Sequence, residues 1–304
     1  MSGDLRQTLR EGVLAFPATP FTTDLTLDAA TLERHVADLA AAKPIALVPA
    51  GGAGELFSLS LAEHAAIVQA TVRNAGGVPV IAGAGFNTAI AIEQARAAEK
   101  AGAAAILLLP PYLITPDQAG LAAYAEAVCR ATGIGVLIYS RDNGVFAPET
   151  AARLAERCPN LVGLKDGTGD FEALSVLRRD LGERLVLING VPTAEILARQ
   201  CFAIGMRAYS SAVFAFLPSL ALRFFRAVRD REDTTADDIM QRFYLPLVKL
   251  RQKRRGYAVA IVKAGLRAVG KPAGPVRPPL VDLTATEEEE LRRLIGAIAQ
   301  EVPA

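Results

Sequence analysis

The sequence predicts an α/β protein folded as a closed (β/α)8 TIM barrel with a C-terminal helical appendix. Three observations carry this expectation. Short apolar runs recur at intervals of roughly thirty residues, the length of one strand–helix unit. Each run is closed by Gly, Pro, Ser or Asp, and an amphipathic or Ala-rich stretch of helical length separates it from the next. The runs are apolar throughout and do not alternate, as befits parallel strands covered on both faces.

Taken in order, the expected strands are residues 12–16, 45–49, 78–82, 104–109, 135–139, 161–165, 185–188 and 206–210. The first intervening helix, 28–42, starts after an Asp and carries Leu32, His35, Val36 and Leu39 at helical spacing. The next, 60–74, begins with Ser60 and has Glu63 three residues on, a capping box. Residues 88–101 are rich in Ala and Glu and stop at Gly102. Stretches 116–132, 148–157, 170–181, 193–203 and 218–230 follow the same logic. Eight strands, each followed by a helix, predict a closed parallel barrel. An open doubly wound sheet has fewer units and a Gly-rich first turn, whereas the first turn here is Pro17-Ala18-Thr19-Pro20-Phe21. Residues 1–230 therefore form the expected barrel, carrying the active site, and 231–304 the C-terminal helical region. Within that region 235–253, 256–270 and 286–301 read as helices, with a Pro/Gly linker at 272–279.

The 304 residues are 51% hydrophobic and contain no Trp, so the core is aliphatic. A net charge of +1 gives no electrostatic footprint for nucleic acid or an anionic membrane. The cysteines, Cys129, Cys158 and Cys201, are odd in number and have no close pair. That argues against a disulfide framework or a metal knuckle, assigns them to packing and suits a reducing compartment. Residues 1–12 are polar and lack a signal-peptide core, and the most apolar stretch, 103–109, is too short to cross a bilayer. The expectation is a soluble cytoplasmic protein without nucleic-acid or membrane partners.

The most informative residue is Lys165. The chain has seven lysines, and only this one ends an apolar run and is followed at once by a Gly/Asp turn, in Leu161-Val162-Gly163-Leu164-Lys165-Asp166-Gly167. Burial disfavours the ammonium form, and a lysine of lowered pKa presents a neutral amine that attacks carbonyls. A snorkelling lysine paired with Asp166 is the alternative. Adjacent strand residues point to opposite faces, which disfavours that pair.

In such a barrel, chemistry gathers at the C-terminal strand ends. Tyr139 ends the strand before that of Lys165, where a phenol beside an amine can relay protons. Arg141 follows it. The turn Gly51-Gly52-Ala53-Gly54 offers successive backbone N–H groups to a carboxylate or phosphate, and Glu55 is expected to organise that loop. Tyr112, Gly190 and the pair Ser210-Ser211 complete the inventory at strands 4, 7 and 8. Loops after strands 7 and 8 are not Gly-rich, which argues against a sugar-phosphate enzyme. His35 and His64 fall on helices without a second ligand at metal spacing, so no metal site is expected.

The opening at 17–21, the Gly-x-x-Gly-Glu turn at 51–55, Tyr139 and the Gly-x-Lys-Asp strand at 163–166 together resemble the dihydrodipicolinate synthase / N-acetylneuraminate lyase family, over nearly the whole chain. Within it, Tyr-x-Arg-Asp-Asn at 139–143 and Tyr-Ser-Ser-Ala-Val-Phe at 209–214 are most similar to the branch acting on 5-dehydro-4-deoxy-D-glucarate. The resemblance implies a Schiff base between Lys165 and the ketone of a 2-oxo sugar acid, loss of water and CO2, and 2,5-dioxopentanoate as product, with no cofactor. It implies that Tyr139 carries protons and that backbone amides of Gly51, Gly52 and Ala53 hold the carboxylate beside the ketone. Arg141 or Ser210 and Ser211 would hold the distal carboxylate, with Gly190 also at the substrate. Tyr112 would approach a neighbouring subunit's site in a homotetramer, a dimer of dimers. Ala53, Ser140 and Ala215 stand where that branch has Thr, Asn and Asn. An aldolase for 2-keto-3-deoxy sugar acids, another synthase or lyase of the same family, and a non-catalytic 2-oxo-acid sensor are the competing readings.

Overall fold

A computed structural model describes residues 2–299. Eight parallel strands run in the spatial order β2-β1-β8-β7-β6-β5-β4-β3. They are β1 (Glu11–Ala15), β2 (Ala46–Leu47), β3 (Ile81–Phe86), β4 (Ala105–Pro111), β5 (Gly135–Ser140), β6 (Leu161–Asp166), β7 (Val186–Asn189) and β8 (Arg207–Ser211). A parallel bridge between Leu47 and Val80 joins the two ends of this row, so the sheet closes into a barrel. β2 is shorter than its apolar run because the chain turns away at Ala50, which has a φ of 50°. Gly83 permits the close approach of β3 there: a Cβ on it would lie 2.0 Å from the Ala50 carbonyl oxygen.

The helices are α1 (Ser2–Thr8), α2 (Ala29–Ala41), α3 (Leu61–Asn74), α4 (Thr88–Ala101), α5 (Gln118–Ala131), α6 (Pro148–Arg157), α7 (Phe171–Leu181), α8 (Ala198–Ala203), α9 (Pro218–Arg229), α10 (Asp233–Ile239), α11 (Leu245–Gln252), α12 (Tyr257–Ala268) and α13 (Ala285–Ala299). Their starts follow local chemistry. Asp28, Asn87, Asp117 and Asp170 each accept a backbone N–H of the first turn, and Ser60 with Glu63 forms the full capping box. Gly102, at φ 90°, ends α4 in the left-handed conformation.

Three departures from the sequence expectation have physical causes. The polar N-terminal segment is helical, and Leu5 and Leu9 plug the bottom of the barrel, packing with Leu14, Val162 and Val186. The helix expected at 193–203 opens as a 3-10 turn, Ala194–Leu197, after Thr193 in a left-handed conformation. The helix expected at 235–253 is interrupted by a π-helical turn, Met240–Tyr244. Pro246 has no N–H to give to the preceding turn, and the wider turn accommodates it, with Leu245 N–H reaching back to the Met240 carbonyl. The helix expected to reach Glu301 is seen to Ala299, and residues 300–304 lie outside those described.

The core has two parts. One fills the barrel interior and includes Leu107, Leu137, Tyr139 and Ile188. The larger part lies between the strands and the surrounding helices and runs on under α10–α13. No helix among the described residues is long and apolar enough to cross a membrane.

Candidate active site

The strand that carries Lys165 alternates as a barrel strand must: Leu164 packs outward among the helices, and Lys165 turns into the barrel mouth. Asp166 turns away again. Its oxygens accept from Thr168 Oγ1 at 2.7 Å and from the Gly169 N–H at 2.8 Å, shaping the turn after β6. Lys165 thus forms no ion pair with its acidic neighbour. It is 4% exposed, and its Nζ lies 3.3 Å from the Gly190 carbonyl oxygen. Gly190 makes room for it, since a Cβ there would lie 2.5 Å from both Cγ and Nζ of the lysine.

Tyr139 stands directly across the β5–β6 ladder from Lys165. The lysine nitrogen sits 3.5 Å from the centre of its ring, with Phe16 on another side at 5.5 Å. The Tyr139 hydroxyl donates to the Gly190 carbonyl at 2.8 Å and accepts from Arg141 Nη1 at 3.1 Å. Arg141 is itself tied to Asp142, Nε to Oδ2 at 2.6 Å.

This packing sets the protonation states. Burial pushes the Lys165 amine below its ordinary range, Tyr139 opposes the fall and Arg141 adds to it. Burial alone pushes the Tyr139 phenol up, but the charges of Lys165 and Arg141 more than reverse this, leaving it below 10.0. An amine and a phenol that both release their protons more readily than usual, packed against each other, have the chemistry of a nucleophile beside a proton carrier.

A cavity of about 390 Å3 opens over these groups at the C-terminal end of the barrel. Gly52, Ala53, Tyr139, Arg141, Lys165, Gly190 and Ser210 all line it. Three of the residues singled out in the sequence lie elsewhere. Gly51 is buried behind the loop, against the Phe16 ring. Ser211 is fully buried outside the cavity wall, and its hydroxyl donates to Glu195 Oε1 at 2.5 Å. Tyr112 is 69% exposed on an apolar rim with Leu113 and Ile114, beside an adjoining groove that also touches Arg141.

The loop after β2 is held from several sides. Thr19 Oγ1 donates to the Gly54 carbonyl at 2.7 Å. Glu55, fully buried with a φ of 57°, pairs with Lys263 of α12 at 2.6 Å and accepts the Arg277 N–H at 3.0 Å. Glu55 therefore organises the loop. The two histidines are also architectural: His35 Nε2 accepts the Ala18 N–H at 3.3 Å, and His64 Nε2 bonds the Gly83 carbonyl at 2.7 Å.

Sequence reasoning missed the cavity's outer wall. Val191, Thr193 and Glu195 after β7, and Leu247, Arg251 and Val259 from the C-terminal helices, complete it. Phe16 was readable as the end of a strand run. Lys263 sits in Ala258-Val259-Ala260-Ile261-Val262-Lys263-Ala264, and a helix apolar all round signals burial. Nothing local marks Arg251 or Glu195.

Residues 9–298 match the model of the dihydrodipicolinate synthetase family. The chain belongs to this family. Its relatives include proteins named probable 5-dehydro-4-deoxyglucarate dehydratase. The one from Rhizobium rhizogenes is 48% identical over 96% of this chain and 97% of its own length. The one from Saccharopolyspora erythraea is 50% identical over 97% of this chain and 96% of its own. Among solved structures, dihydrodipicolinate synthase from Oceanobacillus iheyensis superposes with a TM-score of 0.91, covering 99% of this chain and 100% of that one. At 22% identity that likeness speaks for the barrel alone. Members of one fold differ in reaction through their strand-end residues, so the reaction has to be read from the site.

Proposed function

We propose that this protein is a Schiff-base lyase that dehydrates and decarboxylates 5-dehydro-4-deoxy-D-glucarate to 2,5-dioxopentanoate, water and CO2. One observation carries the chemistry: a buried lysine amine, with no carboxylate partner among the described residues, packed on a tyrosine ring in the floor of the cavity. The substrate is suggested by the names of the relatives that are about half identical to this chain over nearly its full length.

The residues support each step. Lys165 adds to the ketone, and loss of water gives an imine whose protonated nitrogen withdraws electrons from the neighbouring carbon. A C–H proton on that carbon leaves, and the enamine expels the β-hydroxyl as water. The distal carboxylate then departs as CO2, its bonding electrons passing through the conjugated chain to the imine nitrogen. Reprotonation of carbon and hydrolysis free the product and restore the amine. Tyr139, held between the Gly190 carbonyl and Arg141, carries the protons. Backbone amides of Gly52 and Ala53 face the carboxylate beside the ketone, with Gly51 supporting the turn from behind. Ser210 and Gly190 frame the substrate. The apolar rim around Tyr112 is assigned to contact with a second copy of the chain, in a tetramer built as a dimer of dimers. The enzyme is assigned to the cytoplasm.

Borohydride added with a 2-oxo acid should inactivate the enzyme and add the reduced adduct's mass to the peptide holding Lys165. An unmodified peptide would remove the lysine from the mechanism. With 5-dehydro-4-deoxy-D-glucarate, CO2 and 2,5-dioxopentanoate should form without pyruvate; pyruvate among the products would favour an aldolase. Tyr139→Phe should slow turnover by about 10²–10⁴-fold, the usual worth of positioned acid–base catalysis. A wild-type rate would reject the proton-carrier role.

A further inference from the structure

The cavity holds two arginines in different circumstances. Arg141 is already engaged, with Nε on Asp142 at 2.6 Å and Nη1 on the Tyr139 hydroxyl at 3.1 Å. Arg251, from α11, lines the same cavity beside the loop after β7, where it bonds Thr193. It is half-buried, and its one hydrogen bond among the described residues is from Nη1 to Thr193 Oγ1 at 2.7 Å. It forms no ion pair among the described residues. The acid that faces it is Glu195, and that carboxyl is committed elsewhere. Glu195 Oε1 accepts from Ser211, and the carboxyl is enclosed with the hydroxyls of Tyr209 and Tyr244. Burial pushes its pKa up to about 7, against the opposing hydrogen bond from Ser211, so much of it is uncharged at neutral pH. Arg251 is therefore a guanidinium in a substrate cavity with most of its donors unspent and no full counter-charge. Such a group takes a carboxylate, which matches its planar fork.

We propose that Arg251, positioned by Thr193, binds the distal carboxylate of the substrate and makes the enzyme selective for dicarboxylic 2-oxo acids. This deepens the functional reading above and rests on Lys165 receiving the ketone in the same cavity. Arg141 then serves the phenol. Ser211 serves Glu195, and Ser210, whose hydroxyl has only a long 3.4 Å contact with the Asn189 carbonyl, remains free to assist Arg251. The gripped carboxylate is also the one that leaves as CO2. The grip is thus an interaction of the bound ground state, and its loss should raise KM far more than it lowers kcat.

The test uses two 2-oxo acids of equal chain length, 2-oxoadipate and 2-oxohexanoate, which differ in the distal carboxylate. Binding is measured on wild type, Arg251→Gln and Arg251→Lys by calorimetry, and imine formation by borohydride trapping. Wild type should prefer 2-oxoadipate by roughly 10- to 100-fold, the worth of a charged hydrogen-bonded contact. Arg251→Gln should lose most of that preference while binding 2-oxohexanoate as before, and Arg251→Lys should recover part of it. An equal preference in wild type and Arg251→Gln would overturn the proposal, as would a parallel loss for both acids, which would mark a merely structural role. Failure of the dehydratase reading shows separately: the selectivity would stand while 5-dehydro-4-deoxy-D-glucarate is not turned over.

Discussion

Lys165 and Lys263 are both buried, at 4% and 0% exposure, and burial pushes both amines below the ordinary lysine range. Their company differs. Lys263 lies on helix α12 against Glu55 at 2.6 Å, donates to the Pro275 carbonyl at 2.7 Å and sits over the Phe21 ring. It is a structural cation, and its carboxylate opposes the fall in pKa. Lys165 has aromatic faces and a carbonyl around it, no acid within ion-pair reach among the described residues, and open cavity above. Burial makes a lysine unusual, and having no ion-pair partner among the described residues suits Lys165, rather than Lys263, to the nucleophile's role proposed above. The two are linked in space, because the Lys263–Glu55 pair fixes the loop that presents Gly52 and Ala53 to the cavity.

Exchanging each lysine for an apolar side chain of similar length sharpens the contrast. The largest effect expected is on turnover in Lys165→Met, a loss of at least about 10⁴-fold, because the covalent step has no substitute. Residual activity within tenfold of wild type in a steady-state assay would break the comparison. Next, Lys263→Met should lower folding stability by about 3–5 kcal/mol, since it strands Glu55 as a buried charge. Denaturant titration measures this, and adding Glu55→Gln in the same chain should restore part of the loss. A Lys263→Met protein as stable as wild type would mean that the pair is not what holds the loop. The smallest effect is on the stability of Lys165→Met, a gain of about 1–2 kcal/mol at neutral pH. The sign follows from linkage. The folded-state pKa of Lys165 lies below its value in the unfolded chain, so the unfolded chain binds more protons between the two. Wild-type stability therefore rises with pH across that window toward 10.5, and the advantage of Lys165→Met should shrink on going from pH 7 to pH 10. A gap that widens with pH would mean the amine is charged and well paired in the folded protein.

Much of this was readable along the chain. The strand positions follow from uninterrupted apolar runs, and Ser60, Asn87, Gly102 and Asp170 mark helix ends by bonding their own backbone neighbours. Lys165 and Tyr139 could be paired because both end consecutive runs, and consecutive strands of a parallel barrel are neighbours. Ser211 shows where that logic stops. A serine at a strand end has the same sequence signature whether it faces substrate or, as here, a buried glutamate. The plug formed by Leu5 and Leu9 escaped notice for a related reason, since two leucines in a polar segment carry no periodic signal until the barrel bottom is there to receive them.

The barrel, the end of it where the candidate site lies and the lysine placed there were legible in the linear chain. These depend on periodicity and on residue type, which are local properties of the chain. Which charges meet was settled by the packing of the folded chain. It set Glu55 on Lys263, turned Ser211 to Glu195, tied Arg141 to the phenol and left Arg251 without an ion-pair partner among the described residues. Charge pairing depends on distances of a few ångströms between elements far apart in the chain, and no local pattern encodes those distances.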